Sequence, residues 1–252
     1  MKKRLLFYWY ISPKGWNKIY DLHIKNLKRY KDVFDNVTFV VSVDETTKKE
    51  DITDIKGKIK EIFPNVEFVD FENNKNERES KYFYNEVALK LSSFPKDEAI
   101  FFAHNKGLDS RYVTGEDLND WINLMYFANL FYKEEIDNLL DKGDIIAVGT
   151  AVLKRYFLKQ FKFSKYGWIY AGTYFWLVPS RLNDYIKKNN LEIVPNTGRY
   201  YTEGFLGTFF PDDEKHCKIM FGEKKVMENF SQYMNRVFTD KNKEDFKNKF
   251  EK

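Results

Sequence analysis

Cysteine is nearly absent from this chain. Cys217 is the single one in 252 residues, which excludes an intrachain disulfide and a cysteine-built zinc cluster and fits a reducing compartment. The three histidines, His23, His104 and His216, stand far apart, so no His/Cys run has metal-ligand spacing. Long apolar runs are missing as well, and none approaches the roughly eighteen residues of a membrane span. Residues 1–12 carry basic residues and then Leu5-Leu6-Phe7-Tyr8-Trp9-Tyr10-Ile11. That aromatic, β-prone content without a small-residue cleavage site predicts a first strand rather than a secretory leader. A cytoplasmic protein is expected. No Gly-x-x-x-x-Gly-Lys-Ser/Thr loop is present and no G-x-G-x-x-G turn follows a strand, so kinase-like and dinucleotide chemistries lose their main support. A G-x-S-x-G elbow is missing too.

What is there describes a globular chain. Hydrophobic residues make up 43% and charged residues 32%, and the length suits one sizeable α/β core. Lys plus Arg number 42 against 38 Asp plus Glu, a net charge of +4, with both signs mixed along the chain. Such a balance favours solubility and gives no basic stripe for nucleic acid. The basic clusters at 1–4 and 241–252 sit where solvated termini are expected, and they would admit attraction to an anionic membrane surface. Aromatic residues are abundant, with 24 Phe, 17 Tyr and 5 Trp. Their faces suit sugar rings and bases, but an A/T-rich coding sequence raises Phe, Tyr, Lys and Asn together.

The hydrophobic pattern alternates between strand and helix. Strands are predicted at 1–12, 36–43, 66–71 and 97–104, with helices at 17–34, 51–63 and 81–92 between them. Near-continuous apolar strands fit a parallel sheet covered on both faces. Further on, a long helix is predicted over 116–140, a short strand at 144–150, a strand with an internal glycine at 167–178 and a helix at 180–189. A loop is expected at 196–204 and a C-terminal helix at 223–237.

The stretch that orders the rest is Ile100-Phe101-Phe102-Ala103-His104-Asn105-Lys106-Gly107. A buried strand ending abruptly in polar residues and a glycine delivers ligand-binding groups to a sheet edge. An ammonium beside a flexible glycine suits a phosphate, and the alternative is a solvated βα turn. Arg78 and Glu79, after the third strand, offer a guanidinium for phosphate and a carboxylate for a ribose or base, or else simply open a helix. Gly172 would let a ligand approach the backbone, with Trp168 and Trp176 either as stacking surfaces or as core aromatics beside a bulge. Glu203 lies in an aromatic, glycine-flanked stretch, where a carboxylate either serves chemistry or pairs with a neighbour such as Arg199.

Taken in order, Asn74-x-x-x-Arg78-Glu79, His104-x-Lys106-Gly107 and Ala171-Gly172-Thr173-Tyr174-Phe175-Trp176 resemble nucleotide-sugar glycosyltransferases with a GT-A type fold. They are most similar to the bacterial and viral polysaccharide-synthesis subset with a His-x-Lys-Gly segment ending the fourth strand. The resemblance covers roughly residues 1–210. It implies a Rossmann-like, mixed but mainly parallel sheet flanked by helices in a single domain. A nucleotide-binding half would span 1–110, an acceptor half 111–222 and a helical tail 223–252. In such enzymes an Asp-x-Asp pair usually holds Mn²⁺ or Mg²⁺ against the donor diphosphate, and here His104-Asn105-Lys106 replaces it. The resemblance therefore implies transfer without a metal ion or other cofactor, with Lys106 carrying the charge. It puts Tyr10, Ser12, Asp44, Arg78, Glu79, His104, Asn105, Lys106 and Gly107 on the donor. Trp168, Ala171, Gly172, Thr173 and Trp176 fall near a glycan or lipid-linked acceptor, and Glu203 stands where inverting members place their base. The competing expectations are a noncatalytic nucleic-acid or glycan-binding module and another nucleotide-dependent transferase.

Overall fold

In the computed structural model the described residues are 1–11, 19–43, 45, 47–72, 78–105, 116–150, 152–154, 167–170, 172–195, 201–210, 215–220 and 240–250. The first half follows the predicted alternation. Strand β1 (Lys2–Tyr10) leads to α1 (Tyr20–Tyr30), β2 (Asn36–Val43), α2 (Lys49–Ile62), β3 (Glu67–Glu72), α3 (Arg78–Tyr82) and β4 (Glu98–His104). Each of β1, β2 and β4 is buried along almost its whole length, as strands covered on both faces must be.

The second half continues the same sheet. Helices α4 (Glu116–Leu130) and α5 (Lys133–Asp141) precede β5 (Ala147–Gly149), β6 (Val152–Lys154), β7 (Trp168–Tyr170) and β8 (Phe175–Leu177). Helices α6 (Pro179–Lys188) and α7 (Tyr201–Phe209), strand β9 (Cys217–Ile219) and helix α8 (Asp240–Phe250) follow. The sheet runs β3-β2-β1-β4-β8-β5-β9, and β6 pairs with β7 in a separate ribbon. Strand β8 is antiparallel to its neighbours β4 and β5, while the other pairs of the seven-stranded sheet are parallel, and β6 and β7 are antiparallel. The result is a mixed, mainly parallel, Rossmann-like α/β sheet flanked by helices.

Side-chain alternation splits the core into two layers. Leu5, Phe7, Trp9, Phe39, Val41, Phe101 and Trp176 pack with α1, α2, α4 and α8. Leu6, Tyr8, Val40, Ile100, Phe102 and Phe175 pack with α3, α6 and α7. The strand order reverses between β1, from which the chain continues outward to β2 and β3, and the parallel β4, which begins the other wing. The ligand crevice of open α/β sheets lies at such a switch point, off the carboxyl ends of the strands.

Several predicted elements differ from what is observed. The strand expected over 167–178 is two strands in two sheets, because Gly172 (φ 94°) and Thr173 (φ 59°) turn the chain between β7 and β8. The helix expected over 116–140 breaks at Tyr132, which leaves helical geometry (φ −88°, ψ 64°). Its hydroxyl there donates to Asp245 Oδ2 at 2.9 Å and accepts from Asn242 Nδ2 at 2.7 Å, both on α8. The segment 81–92 is not one α-helix: α3 passes into a π-helical stretch at Phe83–Ala88 and a 3₁₀ turn at Leu91–Ser93. Residues 201–204, expected in a loop, open α7.

The basic termini are also more structural than charge alone suggested. Lys3 pairs with Asp137, and Arg4 Nε reaches the buried Glu98 at 3.1 Å. At the other end Phe246 is buried against Phe127, and the Arg29 guanidinium lies 4.3 Å over the Phe250 ring. The helix expected at 223–237 falls outside the described residues. No helix among the described residues is long and apolar enough to cross a membrane.

Candidate functional site

The carboxyl end of β4 carries the candidate site. Strand alternation sends the His104 side chain to the α3/α7 face, one register row behind Tyr10, since Tyr8 pairs with His104 and Tyr10 with Ser42. Its Nδ1 lies 3.5 Å from Glu79 Oε1 at the start of α3, and the two side chains are only 15% and 12% exposed. The other ring nitrogen, Nε2, is buried and makes no hydrogen bond with the described residues.

From Glu79 a line of chain neighbours and hydrogen bonds returns to the backbone of His104. Ser80, next to Glu79 and fully buried, meets Thr202 at 3.5 Å between hydroxyls. Glu203, next to Thr202 and 7% exposed, accepts the Gly172 N–H at 3.0 Å and the Thr173 hydroxyl at 3.4 Å through the same oxygen, Oε1. Tyr174, next to Thr173, donates its hydroxyl to the His104 carbonyl at 2.7 Å. Residues from α3, β4, the β7–β8 turn and α7 thus form a closed circuit. The left-handed Thr173 is costly for a β-branched residue, and its bond to Glu203, with the Gly172 N–H, holds that geometry.

A second chain supports the circuit from the opposite face. Because Tyr174 donates to His104, its oxygen accepts from the Tyr126 hydroxyl, and the Tyr126 oxygen in turn faces His23 Nδ1 at 2.9 Å. Each hydroxyl has one proton to give, so His23 must carry its proton on Nδ1 to complete the chain. Burial pushes the Tyr126 and Tyr174 hydroxyls above their ordinary range, and both stay neutral donors.

Asn105 bridges β4 to β1 at the switch point. Its amide nitrogen donates to Tyr10 O at 2.8 Å, its carbonyl oxygen accepts Tyr10 N–H at 2.9 Å, and its own N–H reaches Tyr8 O at 3.2 Å. The side chain replaces a strand residue and carries the β1–β4 ladder past the last paired residue of β4.

The candidate residues therefore divide. His104, Glu79, Gly172, Thr173 and Glu203 are brought together, and Asn105 and Tyr10 flank them across the switch point. Trp168 and Trp176 are placed in the core, 2% and 0% exposed, with indole N–H groups donated to the carbonyls of Phe210 and Asn129. They contribute packing rather than an open stacking surface. Arg78 opens α3. Ser12, Asp44, Lys106, Gly107 and Ala171 lie outside the described residues. Sequence reasoning missed Ser80, Thr202 and the Tyr126–Tyr174 pair. A Ser or Thr inside an aromatic helix hints at a buried hydroxyl pair, but nothing local reveals its partner.

Among the described residues no three His, Cys, Asp or Glu side chains group as a metal site requires. What the arrangement offers is a carboxylate–imidazole pair and a second, turn-bound carboxylate near the switch point of a Rossmann-like α/β sheet. No protein-family model matches this chain, and no curated protein matches it.

Proposed function

We propose that this chain is a glycosyltransferase that moves a sugar from a nucleotide-diphosphate sugar to a hydroxyl acceptor on a glycan or lipid-linked glycan, with inversion and without a metal ion. The observation that carries the proposal is the polar circuit at the end of β4. It gathers His104, Glu79, Gly172, Thr173 and Glu203 beside the switch point of a mixed, mainly parallel sheet. The GT-A resemblance draws on the segments that carry Glu79, His104, Gly172 and Thr173, and it supports this reading.

In this scheme the nucleotide lies across the ends of β1 and β2, toward Tyr10, Ser12 and Asp44. Its diphosphate lies beside Lys106 and Arg78, which neutralise the charge that develops as the sugar–phosphate bond breaks. Glu203 holds the β7–β8 turn at Gly172 and Thr173, against which the sugar and acceptor would rest, and it is the carboxylate the resemblance offers as base. Chain halves 1–110 and 111–222 take the donor and the acceptor respectively, and 223–252 forms the helical tail.

The test is transfer or hydrolysis across a panel of UDP-, GDP-, CMP- and dTDP-sugars, in EDTA and in Mn²⁺. Turnover of one donor in EDTA is expected, falling by about 10²–10³-fold in Lys106→Ala, the size of effect for one electrostatic stabiliser. Full activity in that variant would remove Lys106 from the scheme, and activity lost in EDTA and restored by Mn²⁺ would remove metal independence.

A further inference from the structure

We infer that His104, oriented by Glu79, is the group that takes the proton from the acceptor hydroxyl; the inference rests on the glycosyl-transfer reading above and names its base. The starting point is a ring with two unlike nitrogens. Nδ1 faces the Glu79 carboxylate at 3.5 Å, while Nε2 is buried and makes no hydrogen bond with the described residues. A carboxylate beside Nδ1 favours the proton there and leaves the lone pair on Nε2, and a base held in one tautomer by a third group is the arrangement that activates a hydroxyl. A buried ring nitrogen without a partner among the described residues costs free energy that a bound hydroxyl would recover.

The surroundings keep that ring in place. Tyr174 fixes the His104 carbonyl from the other face of the sheet, and Ser80 ties α3, which carries Glu79, to Thr202 on α7. Glu203, by contrast, already receives the Gly172 N–H and the Thr173 O–H on Oε1, so its bonds shape the turn on which the sugar would rest. In the step itself the acceptor O–H proton passes to His104 Nε2 as the acceptor oxygen bonds to the anomeric carbon. The anomeric C–O bond breaks, its electron pair leaves on the diphosphate, and the imidazolium is stabilised by the Glu79 carboxylate.

Two measurements test this, and they fail separately. Long-range ¹H–¹⁵N spectra of the imidazoles at alkaline pH read the tautomer without any substrate. Only three histidines contribute, and the His104 signal is assigned by its disappearance in His104→Gln. The Nδ1–H form is expected in the unaltered protein, shifting toward the mixture of a free imidazole in Glu79→Ala that retains its far-ultraviolet circular dichroism. An Nε2–H form in the unaltered protein would overturn the inference. On the donor identified by the panel above, His104→Gln is expected to lower kcat by about 10²–10⁴-fold, more than Glu203→Gln does, and to remove the rise of kcat with pH. The reverse order, with the pH profile kept, would assign the proton to Glu203. A panel without any substrate would sink the glycosyl-transfer reading and with it the base assignment, whatever the tautomer.

Discussion

Asn105 shows how a polar residue at a strand end can serve the backbone. Expected on the donor, it makes both side-chain hydrogen bonds to Tyr10 N and O, and so joins the two strands that diverge at the switch point. Replacing it by Ala leaves a partly buried strand end with an unmatched donor and acceptor, which costs about 1–3 kcal/mol. The urea midpoint of Asn105→Ala is expected to fall with an unchanged m value, and an unchanged midpoint would deny the bridging role. The sequence made His104, Glu79, Gly172 and Glu203 legible one by one, because a charge, an imidazole or a glycine among aromatics is conspicuous. It left Asn105 ambiguous, since nothing local distinguishes an amide bonded to a ligand from one bonded to a backbone 95 residues away. Trp168 and Trp176 were ambiguous for the same reason: an indole beside a glycine looks alike whether its face is open or its N–H meets a buried carbonyl.

At the scale of elements, the position of α7 decides where Glu203 stands. Gly207 allows the helix to lie directly on β7, as a Cβ there would come 2.1 Å from the Trp168 carbonyl oxygen, and the Gly207 carbonyl accepts the Gly167 N–H at 3.0 Å. The neighbour is backbone and cannot rotate away, so Gly207→Ala must push α7 outward. A loss of about 1–3 kcal/mol is expected, the range for overpacking a filled core, together with a lower melting temperature. A melting temperature equal to that of the unaltered protein would contradict this packing. Most strands and helices of the first half were readable because near-continuous apolar runs alternate with segments of helical period, whereas the π-helical stretch at Phe83–Ala88 left no such mark. The breaks at Thr173 and Tyr132 were not, because a left-handed threonine and a helix end without Gly or Pro leave no local signature. The sense of α7 was hidden by its composition, for Tyr201–Phe209 holds two glycines and is buried along most of its length, which removes the polar face that marks a surface helix.

The whole molecule is bound together by aromatic burial, and that has a consequence at high pH. Tyr132 is pushed up from its ordinary value near 10 to about 12, chiefly by burial, with Asp245 and Glu135 acting in the same direction and the Asn242 hydrogen bond opposing. Burial raises Tyr126, Tyr170 and Tyr174 as well. A raised value means that the folded state keeps protons the unfolded chain has released. This contribution is fully present below pH of about 10 and is lost as pH rises through the folded values. The melting temperature is therefore expected to fall steadily from about pH 10 upward, less steeply in Tyr132→Phe. A flat profile between about pH 9 and 11 would contradict it.

The same global view sets the central claim, since one sheet joins β1–β4, where the donor is proposed to bind, to β8 and so to the turn that Glu203 holds. The direct measurement is the melting temperature in EDTA against UDP-, GDP-, CMP- and dTDP-sugars. At a hundredfold excess over its dissociation constant a bound donor adds about 2.7 kcal/mol, which in a chain of this length is a rise of roughly 5–10 °C. One nucleotide sugar is expected to produce that rise in the unaltered protein and a much smaller one in Lys106→Ala. No rise with any of them would contradict the account.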